Sequence, residues 1–169
     1  MDRENRSRKN IFLDVICDLK YNLPFNNGVF DTIILSSVLE HVAEPATLWR
    51  EMARILTKGG KILMNVPFYY QLHETPYDYY RFTEYALRRF AESSGFKVIL
   101  LKTTGGFPEI IADVLAKNVL FVPFIGRFLS MLIQTATYAF IKTYSGKKLS
   151  EKTGKQFPFG YFLIAEKIT

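Results

Sequence analysis

The chain has only two histidines, His41 and His73, and each stands among groups able to move protons or hold charge. His73 opens the stretch HETPYDYYRFT, which also carries Asp78, Tyr79 and Arg81. An imidazole titrates near neutral pH and can take a proton from a hydroxyl or an amine. Asp78 could orient that ring, Arg81 could grip a carboxylate or phosphate with paired N–H groups, and the tyrosines could wall a sugar or an aromatic ring. The structural alternative is a loop pinned by aromatic packing, with Asp78 and Arg81 as an ion pair. His41 directly follows Glu40 and could either border a reaction site or brace the helix that starts near Pro45. Two imidazoles and a carboxylate suit a metal by ligand type, but the separation of His41 and His73 matches no metal motif, so no metal is expected.

Elements must bring these residues together. The stretch VFDTIILSSVLEHV runs from an aliphatic segment into Ser36, Ser37, Glu40 and His41. In an open parallel sheet, ligands bind just beyond the carboxyl ends of the strands, so this polar cluster is placed where a ligand would lie. Phe30–Ser36 reads as a strand covered on both faces. Pro45 to Leu56 has the one-sided apolar spacing of a helix, with Pro45 in its first turn and Gly59-Gly60 as its stop. Lys61–Phe68 reads as the next strand. Thr83 is an expected N-cap for a helix through Ala91 that Gly95 ends, and Phe96–Leu101 is a further strand. Upstream, Ile11–Cys17 also reads as a strand. Strands alternating with helices over short links indicate an α/β domain.

Beyond Gly105-Gly106, residues 107–144 are helical in pattern and very apolar. A polar link, SGKKLSEKTGKQ, and a last strand, Tyr161–Ala165, follow. A strand returning after so long an excursion indicates an insert within one sheet, so residues 11–169 are read as a single domain and residues 1–10 as a disordered tail.

Composition bounds the function classes. The chain has 169 residues, 49% of them hydrophobic, with 15 Phe and 10 Tyr, which excludes a disordered chain. The lone Cys17 excludes an internal disulfide and a cysteine-rich zinc site, and fits a reducing, cytoplasmic setting. A net charge of +6 is modest and dispersed, and no aromatic-basic motif accompanies it, so no nucleic-acid partner is expected. The opening MDRENRSRKN is not a signal peptide. No uninterrupted run reaches the roughly 18 apolar residues of a spanning helix. The insert could instead rest in a membrane interface, with Lys142, Lys147 and Lys148 at anionic head groups.

The run CDLKYNLPFNNGVFDTIILSSVLEHVAEPATLWREMARILTKGGKILMNVPF resembles the middle of class I S-adenosylmethionine-dependent methyltransferases of the type 11-like group. The likeness is carried by a strand ending in Asp, then LPF, FD, EHV and L-x-x-GG in order, and it spans roughly residues 11–101. HETPYDYYRFT and FGYFLIAEK resemble one branch of that superfamily. The resemblance implies a Rossmann-like, mostly parallel sheet with an antiparallel C-terminal strand and S-adenosylmethionine as cofactor. It implies Asp18 and Leu19 at the adenine, Ser36 and Ser37 along the methionine portion with Glu40 beside them, and His41, His73, Asp78, Tyr79 and Arg81 around methyl transfer. The implied reaction is O- or N-methylation of a small molecule, such as a glycan or lipid precursor. The family's glycine-rich first turn has no counterpart here, and no Gly precedes Gly28. A truncated sheet is therefore expected, with Phe30–Ser36 left as an open edge for a second copy or a complementing chain. A non-catalytic module that binds a partner or a membrane, peripheral at the inner membrane face, is the reading from another class.

Overall fold

A computed structural model describes residues 14–168. Its strands are β1 (Phe30–Ser36), β2 (Leu56–Pro67), β3 (Phe96–Thr103) and β4 (Gly160–Lys167). Its helices are α1 (Pro45–Ile55), α2 (Glu84–Ser93), α3 (Phe107–Asn118), α4 (Gly126–Lys142) and α5 (Tyr144–Gly154). The sheet order is β1-β2-β4-β3. β1 and β2 pair in parallel, and β4 runs antiparallel to both of its neighbours. Three strands thus share a direction and only the last opposes them, which is the α/β class expected from the sequence.

One face of the sheet carries the core. Alternation along β2 and β4 sends Ile62, Met64, Val66, Leu163 and Ala165 inward, against Trp49, Met52 and Leu87 from α1 and α2. Pro45 occupies the first turn of α1, and the Thr83 hydroxyl accepts the Ala86 N–H to cap α2. The opposite face bears an apolar row across all four strands, Ile34–Leu63–Ile164–Leu100, in register. Ile34 in that row is 74% exposed.

Three expectations are corrected. Residues 11–13 of the expected strand Ile11–Cys17 lie outside the described residues, and residues 14–17 form no strand. Among the described residues β1 is hydrogen-bonded only to β2, so this segment finds no ladder, and Val15 and Ile16 stay exposed. Gly59-Gly60 does not stop α1. The helix passes directly into β2 at Leu56, and the glycines lie in a bulge where pairing jumps from Phe30↔Leu56 to Thr32↔Lys61. Gly59 adopts φ +79° there, a conformation glycine takes without steric cost. The polar link after residue 144 is instead α5. Thr143 caps it, accepting from the Gly146 N–H. Ser150 donates to Glu109, and the Phe107 N–H donates to the Thr153 hydroxyl, so α5 is tied to the start of α3.

Candidate functional site

β1 ends at Ser36, and Ser37 turns the chain in a left-handed conformation (φ 51°) while its N–H donates to the Asn65 carbonyl. A single 3-10 turn, Leu39–His41, follows. Leu39 is sealed in the core, and Glu40 is carried into the interior beside it. The aromatic loop lies over this turn: the Tyr79 N–H donates to the Glu40 carbonyl (2.9 Å), and the Tyr80 hydroxyl donates to that of Ala43 (2.9 Å). Residues distant in sequence therefore meet. His41 Nε2 and His73 Nε2 are 3.0 Å apart, with the rings nearly perpendicular.

Asp78 organises the loop. Its side chain is 1% exposed and receives both terminal nitrogens of Arg81, at 2.5 and 2.7 Å, together with the His73 backbone N–H at 3.0 Å. The remaining Arg81 donors go to the carbonyls of Tyr80 (2.8 Å) and Gln71 (3.1 Å). The Arg81 guanidinium beside it holds the Asp78 carboxyl well below the usual carboxylate range. Asp78 Oδ2 also lies 3.4 Å from His73 Nδ1. Glu40 is its opposite. Burial pushes its carboxyl up, against the lowering influence of its own backbone N–H and of His41, His73 and Arg81. Among the side chains and backbone groups of the other described residues, neither of its carboxylate oxygens finds a hydrogen-bond partner.

A cleft of about 520 Å³ opens alongside, lined by Asp18, Leu19, Ser37, His41, Glu74 and Tyr77 among others. Asp18 reaches it through a turn in which its Oδ1 accepts the Lys20 N–H (3.0 Å). The following segment is clamped to α1. Glu51 accepts the Leu23 N–H, and Arg54 donates to Glu51, to the carbonyls of Leu23 and Phe25, and to Asn27. Arg54 lowers the Glu51 carboxyl in turn. A second, smaller hollow of about 290 Å³ is lined by Tyr79, Asp78 and Arg81 with Phe68, Tyr70 and Leu72.

The structure thus gathers Asp18, Leu19, Ser37 and His41 on one cleft. Tyr79 faces the second hollow, and Ser36 stays exposed at the end of β1. Glu40 does not line the cleft; it is buried behind the two imidazoles. His41 does not cap α1, whose N-cap is Glu44, but holds the Tyr77 carbonyl at 2.9 Å. Tyr77, Glu74 and Tyr70 were not picked out individually from the sequence. The signal available was their membership of the same aromatic loop as His73. Tyr70 packs edge-on against His73 and takes the Lys117 ammonium over its ring at 3.6 Å, linking α3 to the site.

Comparison with known proteins shows the fold and a family likeness of one part of the chain. Residues 1–64 match a family described as a methyltransferase domain. No curated protein matches the chain. Among solved structures it is similar to the [4+2]-cyclase SpnF, with a TM-score of 0.54 and 17% identity over 92% of this chain and 55% of that one. It is similar to a Haloferax volcanii complex between the Trm112 methyltransferase activator and a putative methyltransferase, at 0.53 and 19%, over 90% of this chain and 59% of the other. A Haemonchus contortus phosphoethanolamine N-methyltransferase 2, in complex with phosphomonomethylethanolamine and S-adenosylhomocysteine, matches at 0.51 and 19%, over 90% and 37%. The chain therefore spans little more than half the length of the first two. A cyclase among these folds shows that the architecture by itself does not specify the reaction.

Proposed function

We propose that the chain, whose residues 1–64 match a methyltransferase-domain family, is of the class I S-adenosylmethionine-dependent kind and takes part in methyl transfer from S-adenosylmethionine to an oxygen or nitrogen of a small molecule, of the glycan- or lipid-precursor kind. The single observation that carries the reading is the cleft shared by Asp18, Leu19, Ser37 and His41. Its volume falls within the roughly 300–1,000 Å³ of ligand pockets. The donor set fits the cofactor: among the described residues only Oδ1 of Asp18 is engaged, which leaves Oδ2 for an amine, and the half-buried Leu19 offers an apolar surface for a flat ring.

In this proposal Asp18 and Leu19 hold the adenine, and Ser36 and Ser37, with the Glu40 segment behind them, flank the methionine portion. The bound cofactor supplies an electrophilic methyl group. His41 and His73 are the groups able to take the proton released by an acceptor hydroxyl or amine, each through Nε2, because Nδ1 faces a backbone carbonyl in both rings. Asp78 fixes His73, Arg81 fixes Asp78, and Tyr79 with its neighbouring rings walls the acceptor hollow.

Calorimetric titration of the purified chain with S-adenosylmethionine and S-adenosylhomocysteine tests the reading. Saturable binding is expected. Asp18→Ala should weaken it about 10- to 100-fold, the worth of one hydrogen bond to a charged group. A folded chain that takes up neither compound would exclude a cofactor site in it.

A second reading rests on the helical insert. Phe121 and Phe124, between α3 and α4, are 86% and 105% exposed, with Leu120 and Ile125 also exposed beside them. No described helix is long and apolar enough to cross a membrane. Such a tip, with Arg127 close by, is suited to entering an interface without spanning it. Co-sedimentation with anionic lipid vesicles is expected, and Phe121→Ser/Phe124→Ser should abolish it. Equal recovery of both proteins in the supernatant would remove membrane contact from the account.

A further inference from the structure

The two histidines and Glu40 pose a problem of hydrogen atoms. His41 Nδ1 lies 2.9 Å from the Tyr77 carbonyl oxygen, which can only accept, so Nδ1 carries the hydrogen. His73 Nδ1 lies 3.2 Å from the Gln71 carbonyl and 3.4 Å from the Asp78 carboxylate, both acceptors, so the same tautomer holds. Each ring therefore turns an Nε2 lone pair toward the other, at 3.0 Å. Both Nε2 atoms are 3.8 Å from Glu40 Oε1. The Glu40 side chain is fully buried, and among the other described residues both its oxygens lack a hydrogen-bond donor. Three lone-pair donors thus converge among the described residues, and such an arrangement repels itself unless a proton or a metal cation sits at its centre.

We propose that Glu40, His41 and His73 form a binding site for a divalent transition-metal ion of the zinc class. The three ligand atoms lie within 4.8 Å of one another. A tetrahedral ion with bonds of about 2.0–2.1 Å needs its ligands about 3.4 Å apart, so the 3.0 and 3.8 Å separations need shifts of only tenths of an ångström. The surroundings are those of a metal site. Each imidazole donates its other N–H to a backbone carbonyl, the usual way of fixing the tautomer and raising basicity. Two imidazoles and one carboxylate suit Zn²⁺, Co²⁺ or Fe²⁺ and leave a fourth position exchangeable. His41 also lines the larger cleft, so an ion held here would border it. The expectation of no metal rested on sequence spacing, and folding removes that objection, because the 3-10 turn and the aromatic loop bring the ligands together. The proposal does not rest on methyl transfer, and an ion held here would occupy the Nε2 lone pairs, so only metal-free rings could take an acceptor proton through them.

The test uses the tag-free chain, stripped with chelator and titrated with ZnCl₂ by calorimetry and with CoCl₂ by visible absorption. Stoichiometric binding, a raised Tm and the intense visible bands of tetrahedral Co²⁺ are expected. Glu40→Gln keeps the side-chain volume, and His73→Ala removes a part-exposed ring. Each should weaken Zn²⁺ binding by at least the roughly 10- to 100-fold that loss of a mere supporting partner costs. Should Glu40→Gln fail to fold, His73→Ala still decides. No binding by the folded chain overturns the proposal and leaves a single proton shared between the two imidazoles. Binding that survives in either folded variant also overturns it, since the ion then sits elsewhere.

Discussion

Asp78→Ala is expected to destabilise the chain by about 3–5 kcal/mol at neutral pH, the cost of leaving one member of a buried ion pair unpartnered. The side chain is 1% exposed and Arg81 only 22%, so water can take over the lost contacts only in part. The variant loses both Arg81 bonds and the anchor of the His73 N–H together. A pH series separates this cause from a simple loss of packing. The fold holds the Asp78 carboxyl below its ordinary value, so its stabilisation is complete above that ordinary value and is lost as the pH falls through the depressed one. The gap between wild type and Asp78→Ala should therefore be full at neutral pH and should narrow below about pH 3.8. Denaturant melts at several pH values check this, and a gap that stays constant into acid would assign the effect to packing alone.

Trp49→Ala should cost a similar amount, about 3–5 kcal/mol, or roughly 10 °C in Tm for a domain of this size. The indole is 0% exposed and stands edge-on to Phe96, with centroids 5.6 Å apart. It joins α1 to the first residue of β3. Its N–H has no acceptor among the described residues, so the large variant and the conservative one should part company. Trp49→Phe keeps an aromatic ring near Phe96 and removes the unpartnered donor, and is expected to cost well under half as much. Thermal unfolding of the pair decides. Equal losses would mean that the indole shape, not apolar bulk, is what this corner of the core requires.

Local chemistry made the frame legible. Pro45, Thr83 and Gly95 mark helix ends as their backbone preferences dictate, and the apolar spacing of α1 and the aliphatic run of β1 name their own structures. What stayed hidden depends on partners. A glycine pair after a helix resembles a stop until the register of β1 against β2 shows that it fills a bulge. The run of Ser, Gly and Lys after residue 144 looks like a link. Its glycines instead permit close approach: a Cβ at Gly154 would lie 2.8 Å from the Gly105 carbonyl oxygen, and one at Gly146 would collide with that of Phe140. The candidate site was legible as a set of residue types and not as a geometry. Nothing in the spacing from His41 to His73 announces a 3.0 Å contact, and nothing marks Glu40 as the buried member.

The strand order carries a consequence for how the chain comes into being. β4 is the seam of the sheet: among the described residues β2 and β3 are not hydrogen-bonded to each other and join the sheet through it. β2 ends at Pro67 and β4 begins at Gly160. At roughly 5–20 residues per second, a ribosome needs on the order of 5–20 s to synthesise what lies between. Throughout that interval the inner half of β2 waits with an unfilled flank, while the apolar helices of the insert emerge beside it. The nascent chain is thus exposed to mispairing for far longer than a hairpin needs to close, and its yield in a cell should depend on what shelters it during those seconds.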